Sequence, residues 1–104
     1  MFVPRATETT TYPRWRMVFQ ANAVTAAVFV ASVNRCRPEH GIQIGGPSVV
    51  VGPIGEVVAE STEPVCVVTI DRSEIQAARA AYPGYLPTRS ELYARAWSVA
   101  AKQT

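Results

Sequence analysis

The sequence predicts an α/β domain, and three observations carry that reading. Residues 28–33, 49–51 and 65–70 are apolar, β-branched-rich runs without a charged residue, the pattern of strands that need cover on both faces. Apolar residues recur at helical spacing over 13–26, 74–82 and 90–100, behind a proline or a capping-box sequence. Between the valine run 49–51 and a second one beginning at Val57-Val58, Gly52-Pro53-Ile54-Gly55 has the chemistry of a tight turn, Pro53 presetting one angle and Gly55 free to take positive φ.

Taken in order, Met1-Phe2-Val3-Pro4 reads either as a frayed terminus or as the last residues of a strand, followed by a threonine-rich polar loop from Glu8 to Tyr12. Pro13 opens a helix running to Ala26, because a first-turn N–H needs no helical acceptor. Trp15, Val18, Phe19, Asn22 and Ala26 share one face of it, which makes Trp15 a core anchor. The strand 28–33 ends at Asn34-Arg35, and Cys36 to Gly41 is a polar loop. Cys36 and His40 are four apart there, but no third group orients them as a nucleophile and its base. Gly45-Gly46 precedes Val49-Val50-Val51, and a second strand starts at Val57-Val58 to close a hairpin.

Ser61 to Pro64 makes a turn into a strand over 65–70, with Cys66 at its middle as a small buried hydrophobe. Asp71-Arg72-Ser73-Glu74 has the form of a capping box, opening a helix with Ile75, Ala78 and Tyr82 on one side. Thr88-Arg89-Ser90-Glu91 repeats the device before a last helix striped with Leu92, Tyr93, Ala96, Trp97 and Ala100.

Composition narrows the function classes. At 104 residues, 48% hydrophobic and 17% charged, the chain is one globular domain rather than a disordered one. A net charge of +2, with arginines scattered and no basic run, argues against nucleic acid. No apolar run reaches membrane-spanning length, and Arg5 and Glu8 interrupt any signal-peptide core, so a cytoplasmic location is expected. Cys36 and Cys66 are isolated and only His40 could join them, so neither a metal site nor a cofactor is expected.

The order of these pieces resembles the C-terminal half of the nitrilase superfamily, the carbon–nitrogen hydrolases. The pieces are the helix, Val-Phe-Val-Ala-Ser-Val-Asn-Arg at 28–35, Gly-Gly-Pro-Ser at 45–48, the valine run, Pro-Ile-Gly-Glu-Val at 53–57 and Val-Cys-Val-Val-Thr-Ile-Asp at 65–71. Arg89, Leu92 and Tyr93 match the pattern's end, so the resemblance covers about residues 1–93 of a single partial domain, with 94–104 a C-terminal helical extension. It implies half of a four-layer αββα sandwich, with the second sheet supplied from outside this segment and the helices mediating dimerisation. In this family a Glu-Lys-Cys triad acts on non-peptide carbon–nitrogen bonds of amides, nitriles or carbamoyl groups. All three triad positions lie upstream of the segment, so no residue here is assigned a catalytic role. The resemblance puts Arg5, Ala6 and Thr7 at the rim of the substrate site. Family members often carry Arg and Glu-Asn where this chain has Asn22, Thr25 and Ala26, which leaves the substrate unassigned.

Three functional readings follow. The chain is a fragment of such a hydrolase, inactive alone, or a non-catalytic dimerisation module docking on an intact homologue or a separate N-terminal half, or a small α/β interaction module. Expected partners are a second copy or a homologous chain, with an amide or nitrile substrate only in a complete enzyme.

Overall fold

The computed structural model describes residues 1–35, 37–81 and 89–103, and its order of elements follows from local chemistry. A 3-10 turn, Thr9–Thr11, feeds helix α1, Tyr12–Ala26, whose proline sits in the first turn. The helix stops at Ala27, which takes the left-handed conformation at φ 49°. The N–H of Ala27 donates to the Val24 carbonyl and that of Val28 to the Ala23 carbonyl, so two end carbonyls are satisfied as the chain turns into the sheet.

The sheet is antiparallel, with strands β1 Val30–Ser32, β2 Ser48–Val51 and β3 Val57–Ser61 in that spatial order. Val30 pairs with Val51 and Ser32 with Val49; Val49 pairs in turn with Glu60. A register shift at Val50/Val51 marks a bulge beside the hairpin turn. That turn forms as its sequence predicts: the Gly55 N–H donates to the Gly52 carbonyl at 2.9 Å, and Gly55 has φ +91°. The N-terminal segment runs parallel beside β1 through bridges Phe2–Ala31 and Arg5–Asn34. Its ladder includes Val3 N–H to Ala31 O at 2.8 Å and Arg5 N–H to Val33 O at 2.9 Å, so the strand-like reading of residues 1–4 agrees with the pairing.

One face of this sheet is closed by α1. Tyr12, Phe19 and Ala23 pack on Val30, Val49 and Val51, with Val3, Val28 and Val57 against them. The stripe that does this differs from the predicted one. Phe19 belongs to both and is buried as the sequence predicts, but at 100° per residue the Tyr12–Phe19–Ala23 stripe is centred about 60° around the helix from the predicted Trp15–Val18–Phe19–Asn22–Ala26 face. Trp15 is therefore 44% exposed and is not the core anchor; it stacks on Phe19 from the flank at a centroid distance of 6.4 Å. Tyr12, with a hydroxyl to satisfy, takes the buried place at the head of the helix.

The second half departs further from expectation. Residues 65–70 form no strand and join no ladder. Val65, Val67 and Ile70 are 78%, 90% and 54% exposed, and Cys66 is exposed rather than buried. Helix α2, Arg72–Ala81, begins where the capping box predicts, the Asp71 carboxylate accepting from Ser73 N–H at 2.9 Å. That contact holds the Asp71 carboxyl below its ordinary value. Ala78 is buried and Ile75 half-buried, while Tyr82 and the second capping-box threonine, Thr88, lie outside the described residues. Helix α3, Ser90–Gln103, carries the predicted stripe, but no residue of it is buried. Trp97 is 74% exposed, so the apolar stripe it belongs to lies open to solvent.

The surface area measures this openness. A compact monomer of this mass exposes roughly 5,700 Å². This chain exposes 7963 Å².

Candidate functional site

The predicted rim residues sit where the N-terminal segment leaves β1, and Asn34 holds that place together. Asn34 lies two residues past the end of β1 and is buried although polar. Burial of an amide demands hydrogen bonds, and Asn34 has them on every side. Its Oδ1 accepts from Thr7 N–H at 3.1 Å, its Nδ2 donates to the Gly45 carbonyl, and its own N–H donates to Ser48 Oγ at 3.2 Å. The Gly45 N–H returns to the Thr7 carbonyl at 3.1 Å. One residue, through its side chain and its own N–H, thus ties Thr7, the glycine pair and the start of β2. The glycines are needed there. A Cβ at Gly45 would stand 2.7 Å from Thr9 Oγ1, and Gly46 combines φ +89° with a Tyr12 ring 3.2 Å from where its Cβ would be.

Arg5 turns away from the open face of the sheet toward α1. Its guanidinium lies 4.9 Å from the Tyr12 ring centroid and 5.5 Å from that of Phe19. Nη2 donates to the Pro47 carbonyl and Nη1 reaches Thr7 Oγ1 at 3.5 Å, while Nε is buried without a partner. Burial lowers the Arg5 pKa from its ordinary value. Beside it, the Tyr12 hydroxyl donates to Glu60 Oε2, which also accepts from Arg16 Nε at 2.7 Å. Burial, then the Glu60 contact, pushes the Tyr12 hydroxyl up to about 12, and the same bond, with Arg16, lowers the Glu60 carboxyl. Tyr12 is neutral and Glu60 ionised at neutral pH, and the Tyr12 hydroxyl is committed to Glu60. The arrangement fixes strand ends and lacks the parts of a reacting centre.

Of the residues expected at a rim, Arg5 packs on α1, Ala6 is exposed, and Thr7 gives its N–H to Asn34 and its Oγ1 to Arg5. Neither Asn34 nor the Tyr12–Glu60–Arg16 network was singled out by sequence. The signal for Asn34 was a lone amide between an apolar strand and a glycine pair. For Glu60 it was an acid on the core-facing register of β3.

On the opposite face of the sheet lies a cleft of about 260 Å³ lined by Ala31, Val33, Val50 and Ala59, with Val65 and Val68 along its edge. Cys66 and Glu63 border it, and no histidine or lysine does. Cys66 therefore lacks the neighbouring base that would activate it. Among the described residues no group of three or more His, Cys, Asp or Glu side chains could hold a metal ion. Cys36 lies outside the described residues.

Comparison with known proteins agrees with this architecture. The profile of the carbon–nitrogen hydrolase family matches residues 4–80. A protein described as "hydrolase in agr operon" from Staphylococcus lugdunensis is 31% identical over 81 residues, spanning 76% of this chain and 35% of that protein. Nit3 of Saccharomyces cerevisiae, described as a member of branch 10 of the nitrilase superfamily, superposes with a TM-score of 0.74 at 30% identity, covering 86% of this chain and 34% of Nit3. The NitFhit protein of Caenorhabditis elegans superposes with a TM-score of 0.70 at 28% identity, covering 88% of this chain and 24% of NitFhit. The chain spans about a third of the length of the hydrolase and of Nit3.

Proposed function

The chain belongs to the carbon–nitrogen hydrolase family, and on that premise we propose that it is a non-catalytic third of such a hydrolase. In this reading the Glu-Lys-Cys triad lies outside the segment and the chain is inactive alone. The observation that carries it is the pairing of family membership with an absent centre. The matched region accounts for about a third of each of two relatives, and the one described thiol, Cys66, is exposed with no base beside it. Within a complete enzyme the segment would supply one sheet, helix α1 behind it, and the rim around Arg5, Ala6 and Thr7. The substrate would be an amide, nitrile or carbamoyl compound. The Asn34 clamp supports the rim assignment, since it holds Thr7 against Gly45 at the end of the sheet.

A second reading, a binding module that docks on an intact homologue or a second copy, draws on the uncovered sheet face and the exposed α3 stripe. A cytoplasmic location is proposed with either; among the described residues no helix is long and apolar enough to cross a membrane. Turnover by the purified chain is the direct test, with simple amides and nitriles as substrates. No activity is expected. Hydrolysis that disappears in Cys66→Ala or Cys36→Ala would place the nucleophile inside this chain and end the proposal.

A further inference from the structure

Helix α3 stands outside what family membership explains. The carbon–nitrogen hydrolase profile ends at residue 80, and α3 runs from Ser90 to Gln103. It forms for local reasons: its alanines favour a helix, Glu91 sits in the first turn and Lys102 in the last, each suiting the charge of its helix end. None of its residues is buried, and Leu92, Tyr93, Trp97 and Val99 are 54%, 59%, 74% and 58% exposed.

The side chains are nevertheless sorted around the axis. At 100° per residue, Leu92, Tyr93, Ala96, Trp97, Val99 and Ala100 fall within an arc of about 160°. Glu91, Arg95 and Lys102 fall within about 40° of one another on the other side. Arg95 and Lys102 also come within about 60° of Val99, so the two cations border the apolar arc.

We propose that α3 is an interfacial helix, which lies along an anionic lipid surface with Leu92, Tyr93, Trp97 and Val99 in the headgroup boundary. Three observations select that occupant. Over residues 89–103 the basic side chains Arg89, Arg95 and Lys102 stand against the single acid Glu91, so the stripe's surroundings complement a negative surface. A second copy laid on the same stripe would bring those like charges together instead. Trp97 and Tyr93 each join an apolar ring to a polar tip, which suits the boundary between lipid and water. Fourteen residues make a helix about 21 Å long, too short to span a bilayer and long enough to lie flat on one. Arg95 and Lys102 can then lay their stems along the apolar border and reach lipid phosphates. The other exposed apolar stretch, Val65 to Ile70, is flanked by Glu63 and Asp71 and would be repelled by the same surface. The inference goes beyond the hydrolase reading and does not depend on it.

Co-sedimentation of the full chain with vesicles tests it, using phosphatidylcholine alone and phosphatidylcholine mixed with phosphatidylserine. Binding to the mixed vesicles is expected to be about tenfold tighter or more, and to weaken as salt is added. Leu92→Ser with Trp97→Ser should weaken it about tenfold or more, by removing the apolar area. Arg95→Gln with Lys102→Gln should remove the preference for the anionic lipid. Val65→Ser with Val67→Ser is the control, since it removes exposed apolar groups outside α3 and should leave binding unchanged. All six positions are exposed, and circular dichroism checks that each variant folds. No binding to either vesicle, or equal binding to both, would overturn the inference. So would binding that falls only in the Val65 and Val67 variant. A dimer of the chain that Leu92→Ser with Trp97→Ser dissociates, with no vesicle bound, would give the stripe to a second copy and overturn it too. The proposed function stands under each of these outcomes.

Discussion

Two β-branched runs of this chain meet opposite fates. Val49-Val50-Val51 lies between two strands, with α1 over it, and Val49 and Val51 are buried. Val65–Ile70 is as strongly strand-forming in composition and stands unpaired. The helices repeat the contrast. Phe19 of α1 is 2% exposed and Trp97 of α3 is 74% exposed, though both sit on amphipathic stripes. Local propensity is alike in each pair, so the difference lies in whether the chain supplies a surface on the other side. The described residues of 1–61 close on themselves, whereas among the described residues of 62–103 Val65, Val67, Ile70, Leu92, Tyr93, Trp97 and Val99 are exposed.

This contrast explains what was legible in the sequence. Helix α1, the hairpin, its turn at Gly52–Gly55 and the Asp71 cap depend on near neighbours, and all were readable. The strand at 65–70 and the packing of Trp97 depend on a partner surface, and a periodic pattern cannot say whether that surface is present. Trp15 failed for another reason. Its stripe shares Phe19 with the Tyr12–Phe19–Ala23 stripe, and the face that is buried is set by packing on Val30, Val49 and Val51 and by the bond from Tyr12 to Glu60, 48 residues away, none of which a periodic pattern shows. The candidate rim was placed by family resemblance alone. Asn34, which organises it, was invisible as a site because its four partners lie in two distant segments, at Thr7 and at 45–48.

The comparison breaks most sharply at Phe19. If the first half is the self-sufficient one, Phe19→Ala removes a buried ring from the contact between α1 and the sheet. The expected loss is about 3–5 kcal/mol, enough to unfold a chain this small. Urea denaturation followed by circular dichroism checks it, and a cost below about 1 kcal/mol would mean that α1 is not what closes the core.

A smaller effect is expected at Tyr12, whose hydroxyl links α1 to β3. Tyr12→Phe leaves the ring and removes one hydrogen bond to a carboxylate, for a loss of about 1–2 kcal/mol. The pH dependence follows from the two shifts. A tyrosine raised to about 12 in the folded chain stabilises fully below the ordinary value near 10 and loses that contribution as pH rises through about 12. Glu60, lowered by the same bond, contributes above the ordinary carboxylate range and loses its contribution as pH falls through its depressed value. Thermal denaturation at pH 9, 10 and 11 should show the wild type losing stability across that alkaline window, with a reduced loss in Tyr12→Phe. Equal losses in both would remove the Tyr12–Glu60 bond from the account.

The smallest effect is expected at Trp97, and it tests the open half. A tryptophan with three-quarters of its surface in solvent, on a helix with no buried residue, has little packing to lose. Trp97→Ala should change the stability of the isolated chain by no more than about 0.5 kcal/mol, in contrast to the several expected at Phe19. Alanine also favours a helix more than tryptophan does, which offsets part of any loss. Leu92, Tyr93 and Val99 are exposed along the same helix, so Leu92→Ala should behave alike. The measurement is equilibrium denaturation at two protein concentrations about tenfold apart. A cost above about 2 kcal/mol that grows with concentration would show Trp97 buried against a second copy. The same cost without concentration dependence would show α3 folded back onto its own sheet, and the division between a closed and an open half would no longer describe this chain.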